Sequence, residues 1–405
     1  MRCLLISFMP WQDVSNRGMD LIAYALASIG ADVHVLKFPT YVSHLIGAQT
    51  RRLLRGVRHP VNLSGRIRSS TVISLGLPYG ERYFWWIKWR PIFNALRKMT
   101  CLTLPTVDIS SYEIIVVESG KPVFFAGTLE KISPPSRPVV IYRQSDPIEL
   151  GLSRNPRFIE EERRMLAVAD LVLMVNERIQ NAYKAKYPQY AHKFVVWENG
   201  FNVSAKPYTI AGGERPTAVY FGLFPIDLKV VTTAARALPA VMFHIIGPVV
   251  SRITARRIMR RCPNIVFHGF MPQERALPLI ANASVAIVPY RPSPRLEFAG
   301  LTSKLLLFMY YGLPIVALSR QEAKSLSNVG VDVCRKVEDF IDRVRYYTEQ
   351  KIHKVYNISL SRYNRDNRVQ ELLRILKNRG LLFKKCDNRI KKHKEDYETG
   401  EAYEH

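Results

Sequence analysis

The 405-residue sequence has few cysteines, no long apolar run and a shortage of acidic residues. Its five cysteines are far apart and odd in number. This pattern indicates neither a disulfide framework nor a CxxC metal site, and it suits a reducing compartment. No stretch approaches the ~20 apolar residues of a membrane-spanning helix, and the apolar run at the start is too short for a signal peptide. The sequence therefore indicates a soluble or peripheral protein, expected in the cytoplasm and at the inner face of the cell membrane.

The shortage of acids leaves the chain strongly basic. Lys and Arg number 59 against 34 Asp and Glu, for a net charge of +25. Nucleic acid, anionic lipid or diphosphate substrates could each require this charge. Residues 37–105 hold twelve Lys or Arg and a single acid, Glu81, and their arginines alternate with Trp, Phe, Ile and Leu.

We interpret residues 37–105 as a surface that contacts an anionic membrane, because aromatic residues favour headgroup depth. A core-facing helix with a solvated basic face remains an alternative. Nucleic acid is not expected, since no zinc finger or RNP motif is present.

Apolar content of 47% is ample for packed interiors, and short β-rich runs alternate with helical patterns along the chain. Predicted strands in the first half are Cys3–Phe8, Asp32–Lys37, Tyr112–Val117, Val139–Arg143, Leu171–Val175 and Phe194–Trp197. Those in the second half are Ala218–Phe221, Met242–Ile246, Ile265–Phe267, Val285–Val288, Ile315–Ala317 and Val331–Cys334. Predicted helices are Met19–Ile29, Arg157–Ala169, Leu228–Ala237, Ile253–Cys262, Glu274–Asn282 and Ser303–Tyr311.

This alternation predicts an α/β protein of two Rossmann-like domains that face each other across a cleft. The first, residues 1–200, would bind the acceptor and the membrane. A linker rich in Gly, Pro, Asn and Ser follows at 201–216, and the second domain spans 217–350. Residues 351–384 would form C-terminal helices that can pack back on the first domain, and 385–405 a charged tail.

The most informative segment begins at Tyr290 and runs through a Pro-rich loop to Thr302-Ser303-Lys304, where a helix starts. Thr302 is a good N-cap residue, and the free amides of a first helical turn favour a phosphate group. Lys304 adds a full positive charge, which suits a departing nucleoside diphosphate. Taken alone, a Thr-Ser-Lys triplet more often marks an ordinary helix with a solvated lysine. The longer string, with Gly312-Leu-Pro314 after the helix, favours the diphosphate site.

Two carboxylates end predicted strands of the first domain. Asp146, in Tyr142-Arg143-Gln-Ser-Asp146-Pro, is placed to take a proton from an acceptor hydroxyl. It could equally cap the following turn, since Ser-Asp-Pro is also turn chemistry. Glu118 ends the preceding strand in the same way and could orient the acceptor or act as the base instead.

The sequence predicts no metal site or other cofactor. No Asp-x-Asp triplet occurs that could bridge a diphosphate through a metal, and the nine histidines show no ligand spacing.

Together these segments resemble the xanthan-type glucuronosyltransferases, glycosyltransferase family 70, which have the GT-B fold. The shared strings include Ile-Val-Val-Glu118-Ser-Gly, Tyr142-Arg143-x-Ser145-Asp146, Phe221-Gly222-Leu223 and Ser303-Lys304-Leu-Leu. The resemblance implies inverting, metal-independent transfer of glucuronic acid from UDP-glucuronate to a mannose on a polyprenyl-diphosphate oligosaccharide, in exopolysaccharide biosynthesis. It also implies that Asp146 is the base and that Tyr290 and Lys304 contact UDP.

The chain departs from the family pattern around the donor. Many members have Glu where Leu307 stands, and that Glu commonly holds the ribose hydroxyls. Leu223, Phe270 and Ser303 replace a Met, a Glu and a Met, which leaves the donor sugar open. Arg143, Arg291 and Arg295 are candidates for holding a sugar carboxylate.

We therefore expect donor binding at Gly222, Leu223, Phe270, Tyr290, Thr302, Ser303 and Lys304, catalysis by Asp146, and acceptor orientation by Glu118 and Arg143. Two alternatives stay open: another donor, UDP-glucose or GDP-mannose, and a non-catalytic scaffold for polysaccharide assembly. A nucleotide-sugar epimerase is less favoured, because a soluble substrate would not require the basic, aromatic first domain.

Overall fold

The computed structural model describes residues 1–8, 17–41, 66–74, 108–132, 137–152, 156–202, 215–222, 226–291, 298, 300–319, 324–350 and 352–382. The chain divides into two compact units, one of Met1–Glu198 with Asp366–His405 and one of Asn199–Arg365. Each unit is a parallel sheet with helices, so the predicted α/β class is confirmed. The charged tail 385–405 and most of the linker 201–216 lie outside the described residues.

The first unit contains a seven-stranded sheet in the order β3-β2-β1-β4-β5-β6-β7, and all its pairs are parallel. The strands are β1 Arg2–Ser7, β2 Asp32–Tyr41, β3 Ile67–Ser74, β4 Ile114–Glu118, β5 Val139–Gln144, β6 Leu171–Met174 and β7 Phe194–Val196. The central strands read as continuous apolar runs because a parallel sheet covered on both faces buries alternate side chains equally. The described part of Met1–Glu198 adds the helices α1 Gly18–Ser28, α2 Ala126–Leu129, α3 Pro156–Val168 and α4 Glu177–Lys186.

The second unit contains a six-stranded parallel sheet in the order β10-β9-β8-β11-β12-β13. Its strands are β8 Thr217–Phe221, β9 Met242–Ile246, β10 Ile265–Gly269, β11 Val285–Pro289, β12 Ile315–Leu318 and β13 Asp332–Cys334. Its helices are α5 Leu228–Ala237, α6 Arg252–Arg261, α7 Gln273–Ala281, α8 Ser303–Tyr310, α9 Lys324–Ser327 and α10 Val337–Gln350.

The last helix, α11 (Arg365–Asn378), returns to the first unit. Val369, Leu372, Leu373 and Leu376 are buried in the same apolar core as the strands β1, β4 and β6. The indole Nε1 of Trp197 donates a hydrogen bond to the carbonyl of Arg368 over 3.0 Å. The first unit is therefore built from both ends of the chain.

Five of these elements, β3, α2, α4, α9 and α10, were absent from the sequence prediction. Strand β3 carries Arg68 and several serines, and it pairs with β2 at the edge of the sheet, where apolar alternation is not required. Helix α4 buries only Ile179 and Tyr183, one turn apart, which is too narrow a stripe to stand out. The long amphipathic helix α10 was also missed, as were α2 and α9, which are only four residues long. Because β3 lies within 37–105, part of that basic segment belongs to the sheet, and 42–65 and 75–105 lie outside the described residues.

Both sheets reverse their strand order once, between β1 and β4 and between β8 and β11. Ligands of doubly wound sheets bind beyond the carboxyl ends of the strands at such reversals. Among the described helices, none is both long and apolar enough to cross a bilayer.

Candidate active site

In the second unit, Lys304 lies between two tyrosines at the strand reversal, one from β8 and one from the end of β11. Its Nζ is 4.9 Å from the ring centroid of Tyr220, on β8, and 4.5 Å from that of Tyr290, directly after β11. Burial lowers the pKa of Lys304 to about 7. Among the described residues no carboxylate pairs with this ammonium group. Among the described residues, the ammonium group therefore contacts the faces of two aromatic rings and no opposite charge. An anionic ligand would supply that opposite charge.

Gly222 lets Lys304 approach this strand end. A Cβ at position 222 would lie 3.0 Å from Lys304 Nζ and 3.2 Å from the Tyr220 hydroxyl. The next glycine, Gly247, is packed still more tightly, because a Cβ there would lie 1.8 Å from the Gly222 carbonyl oxygen. Both have positive φ, +152° and +135°. Two glycines thus keep the backbone close at the end of β8 and leave room for the lysine.

Helix α8 begins with its first turn open. Thr302 occupies the N-cap position with extended backbone angles, but its side chain makes no capping hydrogen bond. The Thr302 hydroxyl oxygen is buried and has no hydrogen-bond partner among the described residues. The predicted N-cap position is therefore right, whereas the capping bond expected from a threonine is absent. The first-turn amides of a helix have no intrahelical partner, and with Lys304 beside them those of α8 form a site that suits a phosphate.

The other end of α8 closes as the sequence predicted. Gly312 has φ +62°, and its N–H and that of Leu313 donate to the carbonyls of Met309 and Phe308. This is the Schellman arrangement that ends helices at glycine.

The remaining donor candidates are placed unequally. Phe270 follows β10 and is about half exposed, at 49%. Leu307, where relatives have a ribose-binding Glu, is fully buried in the apolar core, so this position offers no polar group to a ribose. Arg291 is exposed, and its Nε donates to the carbonyl of Ile226 over 3.1 Å. Leu223 and Arg295 lie outside the described residues.

In the first unit, Asp146 is exposed two residues beyond the carboxyl end of β5. Its backbone N–H donates to the hydroxyl of Ser119, which follows Glu118 at the end of the neighbouring strand β4. The two carboxylate-bearing turns predicted from the sequence are thus joined by a hydrogen bond.

The turn that carries Asp146 is tied to a buried carboxylate, Glu162 of α3. Its two oxygens accept hydrogen bonds from five donors: the Tyr142 and Tyr183 hydroxyls (2.8 and 2.7 Å), Gln144 Nε2 (3.0 Å) and the backbone N–H groups of Ile148 (3.3 Å) and Glu149 (3.0 Å). Burial raises the pKa of Glu162, against these hydrogen bonds, which favour the ionised form. Glu162 holds the chain on both sides of Asp146.

Glu118 is buried rather than open. It accepts a hydrogen bond from the hydroxyl of Ser7, the last residue of β1, over 2.5 Å and a longer one from the N–H of Phe8, the next residue. Burial raises its pKa, while the nearby Arg17 guanidinium favours its ionised form. Glu118 therefore lies at the strand reversal of its own sheet, bonded to the end of β1.

Arg143 differs from the expectation that it faces an acceptor or a sugar carboxylate. Its side chain is fully buried, and one Nη donates to the carbonyl of Trp197. The guanidinium lies 4.7 Å from the Trp197 ring centroid, and a Cβ on Gly18 would lie 2.9 Å from its Nε. Burial, with the second cation Arg368, lowers the pKa of Arg143 to about 9. This placement is structural: Arg143 packs the start of α1 and the ring of Trp197.

No group of three or more His, Cys, Asp or Glu side chains in the described ranges is arranged to hold a metal ion. Whether the reaction needs a metal stays a prediction.

Comparison with known proteins assigns both units. Residues 6–175 match the family described as glucuronosyltransferase GumK, N-terminal domain, and residues 215–349 match glycosyl transferases group 1. The chain is also 28% identical, over 246 residues, to the UDP-glucuronate:glycolipid 2-beta-glucuronosyltransferase of Xanthomonas campestris pv. campestris. These matches support a GumK-like first unit followed by a group 1 glycosyltransferase unit. The resemblance found in the sequence is confirmed.

The Xanthomonas match covers 59% of this chain and 57% of the relative's length. Solved structures extend the likeness in fold across nearly the whole chain. HepE of Anabaena, in complex with UDP-glucose, matches with a TM-score of 0.60 at 14% identity, over 93% of this chain and all of that one. WaaG, a glycosyltransferase of lipopolysaccharide biosynthesis, matches with a TM-score of 0.56 at 10% identity, over 92% and 99%. The chain has the GT-B fold.

Sequence reasoning missed Glu162. The sequence shows it only as the last of three acids, Glu160 to Glu162, in the first turns of α3, where acids stabilise any helix. Glu161 and Glu162 are both buried, whereas Glu160 is partly exposed, and Phe158, Glu162 and Met165, all buried, repeat at helical spacing. An acid on the apolar face was the available signal.

Proposed function

We propose that this chain is an inverting glycosyltransferase that moves glucuronic acid from UDP-glucuronate to a polyprenyl-diphosphate-linked oligosaccharide in exopolysaccharide biosynthesis. The match of residues 6–175 to the GumK N-terminal domain carries this proposal. The name of the Xanthomonas relative supports the glucuronate donor and a glycolipid acceptor.

Lys304 would neutralise the diphosphate of the donor. Its half-buried ammonium group, which no described carboxylate pairs, and the N-terminal turn of α8 both favour two phosphates over a neutral ligand. Charge on UDP grows as it departs, so these groups stabilise the transition state more than the ground state.

Asp146 would serve as the general base. The acceptor hydroxyl oxygen attacks the anomeric carbon, the bond from that carbon to the UDP oxygen breaks, and the hydroxyl proton passes to the Asp146 carboxylate. UDP leaves with the bonding electron pair, and the anomeric configuration inverts. No metal takes part in this scheme. The lipid-linked acceptor would bring the enzyme to an anionic membrane surface, in keeping with the basic segment 37–105.

A donor panel tests the reaction. The protein is incubated with a membrane extract and UDP-glucuronate, UDP-glucose, UDP-N-acetylglucosamine or GDP-mannose, and product masses are determined. We expect the mass of one glucuronate on the lipid-linked product. Transfer from another donor alone would replace the donor assignment and keep the reaction class. An epimerised donor sugar with no transfer product would overturn the assignment as a glycosyltransferase.

The base assignment is tested separately with Asp146→Ala and Asp146→Asn. Both variants should lose transfer, since neither side chain accepts the proton, and should bind UDP as the parent protein does. UDP calorimetry on the parent protein separates an enzyme from a scaffold, which need not bind the nucleotide. Normal turnover in Asp146→Asn would make Asp146 a turn-capping residue.

A further inference from the structure

Helix α6 of the second unit has an unusual exposed surface. Its ten residues, Arg252–Arg261, include five arginines and no acid. Only Ala255 is fully buried, and all five arginines are exposed. Around it, the sequence contains no Asp or Glu from Leu228 to Gln273.

No described residue forms an ion pair or hydrogen bond with a guanidinium of α6. Some exposed arginines elsewhere in the described chain do pair with acids, as Arg163 does with Glu149 and Arg345 with Asp342. Five like charges on three helical turns repel one another, and an external polyanion would relieve this repulsion.

The positions around the helix separate into two faces. At about 100° per residue, the arginines and Ile253 occupy roughly half of the circumference, and the other half holds Thr254, Ala255, Ile258 and Met259. Ile258 packs against the core of the unit. Ile253 falls near the middle of the opposite face, between Arg260 and Arg257, and is 74% exposed.

We propose that this face of α6, which we name the arginine face (Arg252, Ile253, Arg256, Arg257, Arg260 and Arg261), docks on an anionic phospholipid surface. Arginines contact lipid phosphates, and the central isoleucine enters the apolar boundary beneath the headgroups. A solvated face gains nothing from an exposed isoleucine at its centre. The phosphate-lined surface of a nucleic acid offers that side chain no apolar partner. This contact belongs to the nucleotide-sugar-binding unit and is separate from the basic segment 37–105.

The test uses the full-length protein and two matched variants. R256Q/R257Q/R260Q removes three charges next to Ile253, and K229Q/R236Q/K336Q removes three exposed, scattered charges of the same unit. Partition onto vesicles of phosphatidylcholine with phosphatidylglycerol is measured by sedimentation at low and at physiological ionic strength. Each arginine near an anionic surface contributes about fivefold to the partition constant. We expect the arginine-face variant to lose at least about tenfold, and the control less than about threefold.

The isoleucine is tested in the same assay. Ile253→Ser should lower partition without changing its salt dependence, whereas Val355→Ser, at a site 90% exposed, should leave it unchanged. UDP affinity and the circular dichroism spectrum are measured to confirm that all variants remain folded. Neither of these two controls depends on which sugar the protein transfers. Equal losses in both charge variants would reduce the effect to net charge and overturn the proposal. So would unchanged lipid binding, with or without a loss of binding to a fluorescent RNA.

Discussion

The Tyr142 hydroxyl donates a hydrogen bond to Glu162 Oε1 over 2.8 Å, in the interior of the first unit. Gln144 and the backbone of Glu149 bind the same carboxylate. The Tyr-Arg-x-Ser-Asp string therefore has a physical basis: its first residue anchors the strand to Glu162, its second packs on Trp197, and its last is left exposed at the tip of the turn.

Glu162→Gln should separate positioning from folding. A glutamine provides one acceptor oxygen where the carboxylate provides two, so at least one donor around Asp146 loses its partner. We expect kcat to fall about tenfold to a hundredfold, the effect of misplacing a catalytic group by about 1 Å. UDP affinity, measured by calorimetry, should not change, because Glu162 lies in the other unit.

Glu160→Gln is the control for Glu162→Gln. Glu160 is two residues away on the same helix, 40% exposed, and pairs only with Arg157 and Arg164. It should keep kcat. An equal loss in both variants would assign the effect to α3 as a whole.

Much of this arrangement could be predicted from the sequence, and the reasons are physical. The strands and the position of Asp146 follow from apolar runs and turn residues, which act locally. Gly312 likewise fixes the end of α8 through its own backbone. Arg143 shows the limit: a basic residue beside an acid suggested an open site, but its environment depends on Trp197 and Arg368, far along the chain. Long-range packing of this kind leaves no local pattern.

Lys304 should make UDP binding depend on pH. Its pKa of about 7 in the free protein rises when a diphosphate lies beside the ammonium group. Below pH 7 the lysine is already protonated, and affinity should be nearly constant. Above pH 7 binding requires proton uptake, so affinity should fall as pH rises, by up to tenfold per pH unit until the bound pKa is reached.

Calorimetry in buffers of different ionisation enthalpy measures this uptake directly at pH 8. Lys304→Met should bind more weakly at pH 6.5 and take up no proton. Uptake that persists in Lys304→Met would place the titrating group elsewhere.

Gly222→Ala should weaken UDP binding. The new methyl group would lie 3.0 Å from Lys304 Nζ and would force the lysine from its place between the tyrosines. Losing one charge-assisted hydrogen bond costs about 1.5–3 kcal/mol, so the Kd should rise about tenfold or more. Gly380→Ala controls for backbone strain, because φ there is +66° and a Cβ has nothing within 4 Å. It should lower thermal stability and leave the Kd unchanged; a similar rise in its Kd would contradict the steric explanation.

Leu372→Ala tests whether α11 is an integral part of the first unit. Leu372 is fully buried in the core shared with β1, β4 and β6, and its truncation leaves a cavity. We expect a loss of about 2–5 kcal/mol in the free energy of unfolding, measured by urea denaturation. Leu381→Ala, at a partly buried site beyond the helix, should cost much less. Since α11 belongs to the first unit, UDP affinity should be kept at temperatures where that unit remains folded. A loss below about 1 kcal/mol for Leu372→Ala would contradict this prediction and show that the core of the first unit does not depend on this side chain of α11.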